Sequence, residues 1–380
     1  MRASLKIILL FIFSISLKTQ VVLAQTKVTV SITNSSSEIF HDQVISIPWK
    51  DIVTKLPLID TAKFVVINAI TKKEIAFQLE YAGKSTIQNL LIQADVQPKN
   101  FLKIYIQKGQ PSKAVSKTFC RYVPERKDDF AWENDRMAFR MYGKAIEGTK
   151  EDAFGIDVWV KRTNRLILNE RYKRGEYHID HGDGMDYYHV GHSLGAGNMA
   201  PYLNDSIWYS KNYQQWKVLD NGPLRSSFEL SYNEWNVAGN MVKATKTISL
   251  DAGSQLNKIE VNYNYTGNDS LPVVVGIIKR KEKGLMMLDE QKGIMAYWEP
   301  TDIVDGTTGL GSLFFDLVVK MKVTNEQLLC QLKAPKNSSI IYYSGAVWDK
   351  AKIITNAQEW LTYLQNFQAK ILNPLKIKVE

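Results

Sequence analysis

Four of the five histidines in this 380-residue chain fall within one window, Tyr177–His192, interleaved with three aspartates, three tyrosines and three glycines. Imidazoles and carboxylates move protons or hold metals near neutral pH. Glycines let the backbone bring several such groups to one point. His178, Asp186, Tyr188 and His189 are the catalytic candidates. Four chemistries are open to the window. His178, His181, His189 and His192 form two His-x-x-His pairs that with an aspartate could hold zinc or another divalent metal, but the glycines argue against a helix and His-Glu-x-x-His is absent, so a metal is not favoured. One histidine or tyrosine, oriented by an aspartate, could act as acid or base on a sugar, including β-elimination alpha to a uronate carboxylate, with Arg136 or the run Lys279-Arg280-Lys281 neutralising that carboxylate. Paired carboxylates could hydrolyse a glycoside, Asp183 and Asp186 with Glu133 or Glu299 being the candidates. The fourth reading is a polar network that only holds the domain together.

A second stretch, Trp132-Glu133-Asn134-Asp135-Arg136, offers an aromatic face for a sugar beside groups that bond hydroxyls or grip a carboxylate. Its alternative is a charged turn satisfied within itself. Trp132, Glu133, Asn134 and Arg136, with Lys279, Arg280 and Trp298, are the substrate-binding candidates. The Gly195-Ala196-Gly197 loop lacks the third glycine of a dinucleotide fingerprint, no Gly-Lys-Ser/Thr follows it for a P-loop, and Ser193 lies outside a Gly-x-Ser-x-Gly elbow.

The elements that must position these residues are mostly strands. Residues 25–110 read as a small antiparallel β-domain, with Val28–Ile32 and Leu102–Ile106 alternating apolar and polar residues. Gln110–Lys117, polar and with Pro111, reads as a linker. Residues 119–380 carry long strands, among them the hairpin Val242–Leu250 to Lys258–Tyr265, and imply a large β-sandwich whose concave face carries both stretches. One helix closes the chain: Thr355 is placed to cap it, Trp360, Leu361, Leu364 and Phe367 form its apolar stripe, and Pro374 stops it. The fold class is all-β.

Residues 1–24 read as an export signal, with Arg2 and Lys6 before the apolar run Ile7–Phe13 and Val22-Leu23-Ala24 as a cleavage site. The expected location is therefore periplasmic or secreted, with no membrane span. The formal charge is +9, and removing the leader's Arg2, Lys6 and Lys18 leaves +6. A mild excess with one dense basic run suits an anionic small substrate better than nucleic acid. Cys120 and Cys330 allow at most one disulfide.

Trp132–Tyr142, Gly184-Met185-Asp186, Val190-Gly191 and Ser193–Gly197 together resemble an uncharacterised family of exported bacterial proteins, a domain of unknown function found beside pectin-degrading enzymes and sometimes joined to unsaturated-uronyl hydrolases. The hairpin through Lys246–Ser254 and Lys258–Val261 is similar to the super-sandwich of galactose mutarotases and several polysaccharide lyases. No position here matches the mutarotase histidine and glutamate. The resemblance implies a site built on Asp186 and the glycine loop after it, with some of the histidines, rather than a four-histidine metal centre; no cofactor is expected. It implies action on uronic-acid-containing, pectin-derived oligosaccharides by lyase-like or hydrolase-like acid–base chemistry, the alternatives being a non-catalytic carbohydrate-binding protein and a mutarotase or epimerase.

Overall fold

The computed structural model describes residues 26–267 and 269–380; the export signal expected at 1–24 lies outside the described residues. Six strands, β1 (Lys27–Asn34), β2 (Phe40–Pro48), β3 (Phe64–Asn68), β4 (Phe77–Glu80), β5 (Asn89–Val96) and β6 (Asn100–Lys108), build the N-terminal β-domain, with a short helix α1 (Trp49–Lys55). Alternation fixes which side each residue takes: Val28, Val30 and Ile32 of β1 point inward and meet Ile104 and Ile106 of β6 in a core of their own. β2 and β4 flank β5 in a second sheet. One departure concerns the chain's end. Residues 119–380 were expected to form the second domain, yet Lys376–Val379 pairs antiparallel with β1, Val30 opposite Val379, and so completes the first domain's sheet. Its own alternation, Ile377 and Val379 toward the core, makes it a fitting edge.

Past Gln110–Lys117, which has no helix or strand, β7 (Thr118–Val123), β8 (Asp129–Asn134), β9 (Ala138–Met141), β10 (Ile156–Lys161) and β11 (Gly184–Met185) form one five-stranded sheet, with helix α2 (Leu168–Arg174) between β10 and β11. A second five-stranded sheet contains β12 (Ala196–Leu203), β13 (Ser206–Ile207), β18 (Ser270–Ile278), β22 (Lys320–Val323) and β23 (Gln327–Pro335). The eight-stranded sheet runs β14 (Gln215–Gly222), β15 (Arg225–Val237), β16 (Asn240–Asp251), β17 (Leu256–Tyr265), β24 (Ser339–Trp348), β21 (Thr308–Phe314), β20 (Ile294–Trp298) and β19 (Leu285–Asp289). Phe130, Trp132, Phe139 and Val158 from the first sheet, Val273, Val275 and Cys330 from the second, and Phe228, Ile248, Ile259 and Tyr342 from the eight-stranded sheet share one core. The protein is thus an all-β sandwich carrying one long C-terminal helix.

That helix, α3 (Ala357–Leu372), lays Trp360 and Leu364 on the outward face of β20 and β21. Gly311 makes the seat: a Cβ there would lie 2.7 Å from a Leu364 methyl. The cap is Asn356, not Thr355. Asn356 Oδ1 accepts the Glu359 N–H at 3.0 Å while the Glu359 carboxylate accepts the Thr355 N–H at 2.7 Å, a reciprocal capping box shifted by one residue. Cys120 on β7 and Cys330 on β23 are separate buried thiols. None of the described helices is long and apolar enough to cross a membrane.

Candidate functional site

Alternation along β8, β9 and β10 sends Phe130, Trp132, Phe139 and Val158 into the sandwich and turns Asp129, Ala131, Glu133, Ala138, Arg140, Asp157, Trp159 and Lys161 outward. That outward face is dry. α2 and the Tyr177–His192 window fold back over it, with Tyr177 stacked on Trp159 at 4.9 Å and Leu168 packed beside it. The window therefore roofs the outside of the sandwich instead of lining a concave inner face. Glu133 anchors the roof: it accepts the Lys161 ammonium at 2.6 Å and the N–H groups of Ile167 and Leu168 at 2.8 Å each, where α2 begins. Arg171 of α2 donates to the carbonyls of Val160 and Asp183 at 2.9 Å. Gly184, at φ +99°, is required where β11 meets β10, since a Cβ would stand 2.2 Å from the Val160 carbonyl oxygen.

Under this roof Arg140 faces three carboxylates, Asp157 at 2.6 Å, Asp186 at 3.2 Å and Asp129 at 3.5 Å, all buried. Burial opposes the guanidinium charge, yet Asp157 and its neighbours hold the Arg140 pKa well above its ordinary value. One cation does not balance three anions. Burial pushes the Asp129 carboxyl up to about 7, with Arg140 and Arg126 pulling the other way. Burial and then the Asp157 charge raise Asp186 well above the carboxylate range.

His178 stands at the edge of this cluster. Its Nδ1 lies 2.7 Å from the Asp186 carbonyl oxygen and 3.7 Å from the Asp186 carboxylate. A carbonyl oxygen only accepts, so Nδ1 carries a proton, and the side chain that holds it is 68% exposed. The Asp186 N–H donates to the Tyr177 carbonyl at 2.7 Å, which locks the two strands of the window together. The ring thus has an orienting partner on one side and solvent on the other, an arrangement chemically able to pass a proton.

Farther along the window Tyr188 is buried against Arg280, whose guanidinium lies 4.7 Å from the ring, pairs with Glu299 at 2.5 Å and donates to the His189 carbonyl at 2.7 Å. Burial raises both the Tyr188 phenol and the Glu299 carboxyl, Arg280 opposing each shift. Asp157 also acts on Tyr188, so the phenol sits between the two charged clusters.

The four imidazoles do not converge. His178 is held by Asp186; His181 lies 3.6 Å from Glu176; His189 is exposed and engaged through its carbonyl; His192 sits between the edges of Phe154 and Tyr209. A metal-compatible set of ligand atoms does occur, at His41 and Asp42 of β2 and Asp95 of β5, where the register of the two strands shifts.

The sugar-stacking role expected of Trp132 is also corrected: its ring is 0% exposed and its Nε1 donates to Asn257 at 2.7 Å. Glu133 holds Lys161 and α2, and Asn134 closes the β8–β9 turn by accepting the N–H groups of Arg136 and Met137. Arg136 reaches toward Asp42, 3.6 Å away, and joins neither His178 nor His189. Trp298 is buried under α3 with Trp360. Lys279 continues the edge of β18 through its N–H to Glu326, and Arg280 alone of that basic run reaches the window. Arg140, Asp129 and Asp157 were missed. Their signal was present, since Phe139-Arg140-Met141 and Ile156-Asp157-Val158 each embed one charge in an apolar strand, where a charge must find a buried partner.

A family model described as "Domain of unknown function (DUF4861)" matches residues 32–377. An uncharacterised protein, P7, of Formosa agariphila is 32% identical over 340 residues, spanning 83% of this chain and 85% of that protein. Among solved structures, an alpha-mannosidase from Enterococcus faecalis V583 aligns with a TM-score of 0.55 at 9% identity, over 94% of this chain and 46% of that one. A glycosyl hydrolase family 38 protein from Enterococcus faecalis aligns equally well, over 48% of its length. The chain spans about half the length of these structures, and at such identity the likeness is one of fold.

Proposed function

We propose, for a chain that belongs to the DUF4861 family, an exported carbohydrate-active protein that acts on uronic-acid-containing, pectin-derived oligosaccharides, with His178 as the proton-transfer group and Asp186 as the residue that orients it. The observation that carries this reading is the fixed orientation of His178, with Nδ1–H tied to the Asp186 carbonyl and the side chain 68% exposed. In an elimination, Nε2 takes the proton from the carbon alpha to the uronate carboxylate, the C–H electron pair forms the new double bond, and the glycosidic C–O bond breaks toward the leaving oxygen, which takes a proton from solvent water at this exposed site. The substrate carboxylate needs a cation. Arg162, 39% exposed and paired with Asp180, which is two residues along the chain from His178, takes the part that the sequence offered to Arg136 or to Lys279-Arg280-Lys281. Asp186 keeps the base oriented through its backbone carbonyl, while its buried carboxylate lies against Arg140. The mannosidase and family 38 protein that share the fold support a sugar ligand by analogy.

A second reading, a carbohydrate-binding protein without turnover, is favoured by the exposure of His178, which shields the reaction little from water. Pectic fragments incubated with the protein separate the two. New unsaturated ends seen by absorbance, or new reducing ends, are expected with the intact chain and lost in His178→Ala. Turnover that survives His178→Ala removes the assignment; no turnover together with retained sugar binding supports the second reading.

A further inference from the structure

The outward face of the eight-stranded sheet carries a second organised set of polar side chains. Residues two apart share a face, and the strand register places Ser227, Ser249, Lys258 and Tyr343 in one row across β15, β16, β17 and β24, each directly opposite the next. The neighbouring row contributes Thr247 opposite Glu260. The N-terminal domain on one side and α3 on the other wall these rows into a cleft of about 630 Å³. Most polar groups at its margin are already spent: Arg225 is closed by Asp251 at 2.5 Å and Glu80 at 2.8 Å. The floor differs. Lys258 and Glu260 take no part in the ion pairs of the described residues, and both line the cleft. Tyr343 meets Phe367 of α3 edge to face at 5.2 Å, giving the cleft an apolar patch beside those charges.

We propose that this cleft is a second binding site, remote from His178, for a segment of acidic oligosaccharide. The proposal rests on the reading of the chain as carbohydrate-active. An uncommitted ammonium suits a uronate carboxylate, while the hydroxyls of Ser249 and Thr247 and the Glu260 carboxylate supply the mixed donors and acceptors that sugar hydroxyls need. The Tyr343 and Phe367 pair offers the apolar contact that the C–H face of a pyranose takes. A floor this polar does not suit a lipid, and a free cation set against a free carboxylate does not suit a polyphosphate. A bound chain would be held here while another stretch of it reaches the window, which raises the effective concentration of substrate at His178.

The test is calorimetric titration of the full chain carrying His178→Ala with a linear trimer of galacturonic acid, and with the same trimer reduced at its carboxyl groups. Adding Lys258→Met is expected to weaken the acidic trimer at least tenfold and the reduced trimer less than twofold; Tyr343→Ala is expected to weaken both. Glu260→Gln, which preserves shape, checks the floor should Tyr343→Ala lower the thermal midpoint. Affinities within twofold of the parent for all three variants, or no binding of the trimer at millimolar concentration, overturn the site. Turnover of the same trimer by the unmodified chain is scored separately, so binding without turnover rejects the proposed chemistry and keeps the cleft, and turnover without Lys258-dependent binding does the reverse.

Discussion

The sandwich has two outward faces built on the same alternation, and they have opposite fates. On β8, β9 and β10 the outward residues Asp129, Arg140, Asp157 and Lys161 are sealed by α2 and the window that follow directly in the chain. On β16 and β17 the outward residues Ser249, Thr247, Lys258 and Glu260 are overhung by the N-terminal domain and by α3, and remain in an open cleft. A roof that is the same chain's next segment can press down until every charge finds a partner or a proton. Walls contributed by elements far away in the chain leave room. Charges on the first face are therefore committed to one another, and those on the second stay available.

The largest effect expected from this contrast is on stability. Arg140→Met strands three buried carboxylates without their cation and should cost about 3–5 kcal/mol in denaturant unfolding, whereas Lys258→Met on the open face should stay within about 0.5 kcal/mol. Equal losses at the two sites would erase the distinction. Next comes catalysis: His178→Ala should lower turnover by about 100-fold or more with little change in stability, because the ring is largely exposed. A loss of turnover matched by a loss of folded protein would return the window to a purely structural role.

The pH dependence is a finer probe. Asp129 is a carboxyl whose folded value, about 7, lies above its ordinary one. Between about pH 4 and 7 the folded chain keeps this proton and the unfolded chain does not. Stability from this group is thus full at low pH and falls by up to about 1.4 kcal/mol per unit as pH rises toward 7. The difference between the parent and Asp129→Asn, followed by unfolding at pH 5 and pH 8, should isolate that slope; parallel profiles would mean the buried cluster is already neutralised. The smallest effect belongs to a wall of the cleft. Asn356→Ala removes the α3 cap and should cost about 1 kcal/mol, with hydrogen exchange rising in the first turn of the helix and not at β8–β10.

Much of this architecture was legible in the amino-acid order because it depends on local pattern. The alternation of Val28–Ile32, the hairpin from Val242 to Tyr265 and the stripe Trp360, Leu364, Phe367 announce strands and a helix. The concentration of ionisable residues in Tyr177–His192 marked the place where His178 and Asp186 meet. What could not be read was the direction in which a side chain points once distant strands pair. Trp132 and Trp298 look like sugar platforms in sequence and are core residues in space, because alternation says that one face is buried without saying against what. Arg140 stands out in sequence as a charge within an apolar strand, but its partners could not be read there, because Asp129, Asp157 and Asp186 come from separate segments and share no spacing. The ladder from Ser227 to Tyr343 needs the register of four strands before it exists at all.

The pairing of Val30 with Val379 has a consequence for how the molecule is made. As synthesis proceeds, β1 is present long before Lys376–Val379, so during that interval its outer edge offers unpaired N–H and C=O groups to any passing strand. The late strand acts as a latch: by closing that edge it fastens the far side of α3 to the N-terminal domain and thereby fixes how wide the cleft stands. Clipping it would be felt twice, as a tendency to aggregate through β1 and as a change in the cleft's span, although no residue of the strand touches the cleft floor.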